Sequence, residues 1–327
     1  MARYTVEPTA PNVRDSFSRD YPPILEVEPG DIIVVRTLDA RWNLDPYVRP
    51  GVPVRTLEHP EYGHCLCGPI FVRGAEPGKV LAVHILSLVP GTWGWTEAGS
   101  KPPLNRLLGV GEGVPTSLLW KIDWSRRVAT DQAGHAVDLR PFLGVIGLAA
   151  DEPGKHSTIP PRLYGGNIDC KELVAGSTLY LPVACQGGLL SVGDGHAAQG
   201  DGELSESAIE CPMTSELGID LLEGGTVPAP CALTPNGRIT FGFDTNLNEA
   251  MVRAADSMLR WMEGLLAVDR GTALALASVV VDLRITQVVN QRWGVHAVLS
   301  NAALGKLGLE AHDRRDEPRQ SESDRHN

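Results

Sequence analysis

One turn recurs in this chain and each time introduces a β-branched run. Glu28-Pro29-Gly30-Asp31 precedes Ile32-Ile33-Val34-Val35, and Glu76-Pro77-Gly78-Lys79 precedes Val80-Leu81-Ala82-Val83. Ala175-Gly176-Ser177 before Thr178-Leu179-Tyr180-Leu181 is a looser third copy. Proline presets φ at the first central position of a type II turn, and glycine supplies the positive φ needed at the second. With 35 glycines and 25 prolines, and no long helical pattern before residue 245, the chain reads as short strands joined by turns. The spacing of the copies is irregular, so they mark strand entries and not a repeat fold. Ile32–Val35 and 80–88 look apolar on both faces, as expected of strands covered on both sides. Asn236-Gly237, ahead of Ile239–Phe243, signals a hairpin.

Helical periodicity begins late. Asn246 reads as an N-cap with Glu249 as its capping-box partner. Met251, Ala254, Ala255, Met258, Trp261, Met262 and Leu265 then fall on one face. A second helix is expected from Arg270 to about Val280, with 282–289 returning as a strand or short helix. The organisation expected is a β-rich region over 1–235, a hairpin and helical α+β region over 236–311, and a disordered polar tail over 312–327.

The net charge of −11 argues against nucleic-acid binding, which needs a basic footprint. The first 17 residues lack the apolar run of a signal peptide. The apolar stretch 273–281 is too short to span a bilayer. The six cysteines have no C-x-x-C spacing and read as free, buried thiols. The expectation is a cytoplasmic protein without membrane contact, and a homodimer on base rate alone.

Chemistry-bearing residues gather in two glycine-rich stretches: Gly165-Gly166-Asn167-Ile168-Asp169, and 191–203 with Asp194, His196, Asp201 and Glu203. Asn167/Asp169, Asp194/His196 and Asp201/Glu203 are each two apart, so on extended backbone each pair shares a face. Carboxylates with one imidazole suit a divalent cation, zinc before calcium. Asp169, His196 and Asp201 are the first-choice ligands. Asp194 and Asp39 are further candidates, although an aspartate after glycine also closes Asx-turns. Glu203 is the candidate general base and acid, and Asn167 with the amides around Gly165–Gly166 the candidate oxyanion site. Glu210 reads as a structural partner. His64 and His84 read as pocket or core histidines, Cys170 as a minor nucleophile candidate, and Trp42, Trp93 and Trp95 as pocket or core aromatics.

Four ordered blocks carry a resemblance: GHCLCGPIFVRGAEPGKVLAVHIL at 63–86, PFLGVIGLAA at 141–150 followed by PPRLYGG at 160–166, GGNIDCKEL at 165–173, and LPVACQGGLLSVGDGHAAQGDGELSESAIE at 181–210. Over roughly residues 20 to 300 the chain resembles the acetamidase/formamidase family. It departs from the family pattern at His64-Cys65-Leu66-Cys67-Gly68-Pro69 and at His84. The resemblance implies a mainly β fold, a jelly-roll-like sandwich with further β and α/β elements. It also implies metal-dependent hydrolysis of small formamide- or acetamide-like linear amides. The alternatives are hydrolysis of a carbamate, ureide or bulkier amide, or a non-catalytic sandwich holding a structural calcium.

Overall fold

The computed structural model describes residues 1–46, 52–58, 63–99, 104–110, 115–225 and 227–309. The expected disordered tail, 312–327, lies outside them. The glycines of the three turns hold φ at +90°, +95° and +90° (Gly30, Gly78, Gly176). Each turn is closed by the following amide: Asp31 N to Glu28 O at 3.1 Å, Lys79 N to Glu76 O at 3.0 Å and Ser177 N to Val174 O at 3.0 Å. The strands they launch, Ile32–Thr37, Val80–Pro90 and Thr178–Pro182, all enter one nine-stranded sheet. Its order is Arg3–Val6, Ile32–Thr37, Met213–Leu222, Val80–Pro90, Thr178–Pro182, Cys231–Thr234, Gly237–Asp244, Trp293–Ser300 and Val281–Gln287.

A six-stranded sheet faces it. Along that sheet run Gly165–Asn167, Phe142–Gly147, Leu190–His196, Leu66–Val72 and Val13–Arg14, with Leu25–Val27 also on Leu66–Val72. Ile33, Val35, Val83 and Leu217 of the larger sheet meet Ile70, Leu143, Ile146 and Val192 of the smaller in a single apolar core. This is the mainly β sandwich that the sequence leads one to expect. A four-stranded sheet, Ala136–Asp138, Val128–Asp131, Thr116–Asp123 and Trp93–Ala98, stands beside it.

Ile32–Thr37 is not buried on both faces as expected. Ile33 and Val35 are enclosed, while Ile32 and Val34 are half-buried, because the described residues put no full layer over that side of the sheet there. Val80 and Ala82 do have a covered outer face, supplied by Trp261 and Leu265 of the long helix. That helix, Leu247–Leu266, starts where its cap predicts: Asn246 Oδ1 accepts from the amide of Asn248 at 2.9 Å. Its buried face is Ala250, Ala254, Met258, Leu259, Trp261, Met262 and Leu265, so Met251 lies outside the stripe. The second helix is Arg270–Val280, capped by Asp269, and the chain returns as the strand Val281–Gln287. In the hairpin Thr234 pairs with Gly237, so Pro235 and Asn236 form the loop, one residue earlier than Asn236-Gly237. Thr234 Oγ1 draws in the amides of both Asn236 and Gly237. The 235/236 division therefore falls inside one continuous sheet. All six cysteines are buried and none forms a disulfide. Among the described residues no helix is long and apolar enough to cross a membrane.

His296, on the strand Trp293–Ser300, is fully buried; its Nδ1 meets Thr286 Oγ1 at 2.8 Å and its Nε2 has no partner. Burial pushes its pKa down to about 4, from 6.5. Between those values the unfolded chain binds a proton that the folded chain refuses, so this residue's contribution is full above pH 6.5 and is lost as pH falls toward 4. The span corresponds to roughly 3 kcal/mol. Urea midpoints of the protein and of His296→Asn at pH 7 and pH 4.5 should show a shallower loss on acidification in the variant.

Candidate functional site

The glycine–aspartate stretch is a strand and not an open loop. Leu190–His196 runs through the middle of the six-stranded sheet, buried along its whole length. It pairs Leu143 with Gly195 and Val145 with Gly193, which sets Asp194 opposite Gly144. Asp194 and His196 share a face, as their spacing predicts. The carbonyl of Gly144 accepts from the amides of Ile168 (3.0 Å) and Asp169 (3.2 Å). That turns the end of Gly165–Asn167 inward and delivers Asp169 to the same face. A Cβ on Gly144 would lie 2.5 Å from Asp194 Oδ2, 2.6 Å from Asp169 Oδ1 and 2.8 Å from His196 Cε1. Only a residue without a side chain fits there. The edge of the floor is Phe142, whose ring meets the His196 ring at 5.0 Å and 87°.

Two groups of ligand-type atoms share His196: Asp169/His196/Glu203 and Asp194/His196/Glu210. His196 Nε2 lies 3.2 Å from Glu210 Oε2 and 3.4 Å from Asp194 Oδ2, and Nδ1 lies 3.9 Å from Asp169 Oδ1. All five side chains are buried. Asn167 Oδ1, Asp169 Oδ1, Asp194 Oδ1, His196 Nε2, Glu203 Oε2 and Glu210 Oε2 have no hydrogen-bond partner in the protein. Buried polar atoms are normally paired, so six orphans in one place describe a site built for something else. Three of the carboxylates also sit on left-handed backbone: Asp169 at φ +52°, Asp194 at +59° and Glu203 at +48°. Such conformations are uncommon off glycine, and persist where the surroundings over-determine them.

Gln199 sets the state of the imidazole. Its Nε2 donates to the Asp169 carbonyl at 2.8 Å, which turns its Oε1 toward His196 Nδ1 at 2.9 Å. Nδ1 therefore carries the hydrogen, and Nε2 faces Asp194 and Glu210. An outer partner that fixes the tautomer in this way is the usual companion of a metal-ligating histidine. Burial pushes the Asp169 carboxyl up to about 8, opposed by His196 and reinforced by Asp194. Burial and then the charge of Asp169 hold Glu203 well above the carboxylate range. Burial lifts Glu210 to about 7 against the attraction of His196. Burial also raises Asp194, but the positive charge of the His196 and His64 imidazoles outweighs it, and its carboxyl lies low. Burial opposes charge on His196, yet Glu210 and Asp194 lift its pKa well above 6.5. Without a cation, the cluster keeps protons to limit its own repulsion.

Of the residues singled out from the sequence, Asp169, Asp194, His196 and Glu203 come together. Asp201 joins neither group: it pairs with Lys171 Nζ at 3.0 Å and is part-exposed. Asp39 also joins neither; its carboxylate accepts from Asn43 N (2.8 Å), Asn43 Nδ2 (2.6 Å) and Trp95 Nε1 (2.6 Å). Asn167 donates from Nδ2 to the Ile159 carbonyl at 3.1 Å, so its partnerless atom is the acceptor Oδ1, which differs from the expected oxyanion donor. Glu210 belongs to the cluster, brought beside His196 by an antiparallel bridge. His64 approaches Asp194 Oδ2 at 4.0 Å, whereas His84 bonds Thr178 Oγ1 across two strands. Burial pushes the Cys170 thiol up to about 12, which keeps it protonated and a poor nucleophile. Trp42 and Trp95 are core residues, bonded to the Gly63 carbonyl and to Asp39. Asn290, which donates to Asp169 Oδ2 at 2.5 Å, and Gln199 were not legible in the sequence, since nothing local marks either.

A profile of the Acetamidase/Formamidase family matches residues 4–157 and 149–299. The chain is 28% identical over 292 residues to a formamidase of Methylophilus methylotrophus, covering 69% of this chain and 70% of that protein. It is 32% identical over 222 residues to an acetamidase of Mycolicibacterium smegmatis, covering 50% and 54%. The crystal structure of an acetamidase from Bacillus halodurans superposes with a TM-score of 0.82 at 27% identity, over 93% of this chain and 100% of that one. The chain belongs to the Acetamidase/Formamidase family.

Gly144→Ala should lower stability by about 1–3 kcal/mol, as overpacking does, because the new methyl meets two carboxylates and the imidazole. Gly264→Ala, inside the long helix with nothing near its added methyl, should instead raise stability by about 0.5–1 kcal/mol. Urea denaturation of both variants checks the contrast.

Proposed function

We propose that this protein is an amidohydrolase acting on linear amides, with a divalent cation, zinc first, held by Asp194, His196 and Glu210. The observation that carries the reading is the set of six buried, partnerless polar atoms in a chain whose relatives are named formamidase and acetamidase. The set fits a cation on chemical grounds. Nε2 of His196 offers a lone pair once its proton leaves, with two carboxylate oxygens within 3.4 Å. A nitrogen with two carboxylates suits zinc, whereas calcium takes oxygen alone. Of the first-choice ligands this keeps His196 and puts Asp194 and Glu210 in place of Asp169 and Asp201; Asp39 also leaves the set.

Resonance protects an amide carbonyl, so hydrolysis needs an activated water, a polarised carbonyl and a proton for the departing nitrogen. A bound divalent cation supplies acidified water and Lewis acidity. The protein supplies the proton traffic. Glu203 and Asp169 offer ligand-type atoms to one group; burial holds both carboxyls up and the charge of Asp169 raises Glu203 further, and the positive charge of a bound cation would return Glu203 to its ionised, basic form. Once ionised, Glu203 would take the proton of the attacking water as the C–O bond forms and deliver it to nitrogen as the C–N bond breaks, giving the carboxylic acid and ammonia; the acid then loses its remaining proton to ammonia or solvent. Asn290 holds Oδ2 of Asp169, which fixes the carboxyl with its other oxygen 3.9 Å from His196 Nδ1. Asn167 Oδ1 is an acceptor for a substrate N–H.

Ammonia release from formamide, acetamide and propionamide should fall on chelation and return with one added metal. Glu203→Gln should keep its metal and lose roughly 100- to 10,000-fold in turnover, while Glu210→Gln should lose metal as well. A fully active Glu203→Gln protein would remove Glu203 from the mechanism; a chelated, folded and fully active protein would remove the cation.

A further inference from the structure

A cavity of about 530 Å³ opens beside the acidic cluster, with both Glu203 and Gln199 in its wall. Gln199 touches His196 Nδ1 and the Asp169 carbonyl, so the cavity reaches the reacting centre and not a remote surface. Its volume falls in the range of roughly 300–1,000 Å³ that receives drug-sized ligands. An acetamide methyl would leave nearly all of it filled with water.

The wall mixes polar side chains with an apolar surface formed by Trp120, Val137, Leu204 and Ile209. Trp120, from the four-stranded sheet, lines it, and the polar edge of the indole is already satisfied by Thr96 Oγ1 at 2.9 Å, which leaves its ring as apolar surface. Leu204 and Val137 stand at the opening and are 60% and 38% exposed. Leu204 directly follows Glu203, so the apolar lip and the proton-transferring carboxylate are set by the same stretch of chain. Large apolar side chains left to water at a cavity that leads to a polar centre mark a ligand-facing surface. No lysine, arginine or histidine is among the described residues that line the cavity, and its charged members are all acidic. The nearby Lys171 is already engaged by Asp201, so an anionic substituent would find no cation of its own in the wall and would be repelled by Asp138.

We infer that this cavity receives the acyl substituent of a neutral primary amide, and that the substituent is apolar and larger than methyl, an aromatic ring being the natural fit to Trp120. The inference rests on the amide-hydrolase reading of the adjoining cluster. Trp120, Val137 and Leu204 are then specificity-determining residues, with Glu203 at the inner end.

The test compares kcat/KM for formamide, acetamide and benzamide in the wild-type protein and in Leu204→Asp and Val137→Asp. Both positions are exposed enough to accept the change without loss of fold. Benzamide should exceed acetamide by at least tenfold, and either substitution should lower the benzamide-to-acetamide ratio at least tenfold. Benzamide should also bind the Glu203→Gln protein in a calorimetric titration, and bind it at least tenfold more weakly once Leu204→Asp is added. Acetamide turned over as efficiently as benzamide, with a ratio that neither substitution moves, would overturn the inference and leave the hydrolase reading standing. Should no amide be hydrolysed while benzamide still binds and Leu204→Asp weakens it, the hydrolase reading falls and the apolar site stands. Neither turnover nor binding would overturn both.

Discussion

Four carboxyl groups are buried together around the imidazole of His196 on the six-stranded sheet, and much of the surrounding structure follows from that constraint. Isolated charges are costly to bury, so they must be paired, neutralised or bound to a cation. Here the imidazole of His196 sits between carboxylates on both sides, and burial holds Asp169, Glu203 and Glu210 in the range where protons remain. Gln199 and Asn290 tie the outer edges of the group. Several inward atoms are left unpaired, and the left-handed backbone at three of the carboxylates is the conformational cost of pointing them there. A rigid sandwich core on one side and close strand pairing on the other are what can hold such an arrangement.

The sheet is well suited to the task because it makes a floor without side chains. Gly144 sits where two strands run side by side, and its carbonyl also anchors the turn that carries Asp169. Any Cβ at this point would occupy the volume in which Asp169, Asp194 and His196 meet. The cluster is thus determined by backbone proximity as much as by the ionisable residues themselves. The cavity lined by Trp120 and Leu204 adjoins it, so the polar centre and an apolar approach are supported by different sheets.

Much of the fold was legible locally. A Pro-Gly turn fixes φ at two successive positions regardless of what packs around it, and each of the three glycine turns does launch a strand. Asn246 and Asp269 begin their helices because an N-cap satisfies orphan amides within its own few residues. Burial was harder to read. The run Ile32–Val35 is equally apolar on both faces, yet only one is enclosed, because the covering layer comes from the helix Leu247–Leu266 and reaches Val80 and Ala82 instead. Hairpin register moved by one residue because the Thr234 hydroxyl outcompetes the expected turn.

Strand-rich character, the helix starts, family membership and four members of the cluster, Asp169, Asp194, His196 and Glu203, are written in local sequence. These came from short spacings, where two residues on one extended segment must share a face. The packing of the sheets, in contrast, brings Glu210 to them and turns Asp201 to Lys171 and Asp39 to Asn43 and Trp95. It also decided that Asn290, 121 residues away, holds Asp169, and that Gly144 leaves them room. Periodicity fixes direction within a segment, but convergence between segments depends on strand register and on which sheet lies across the core, and no local pattern encodes those.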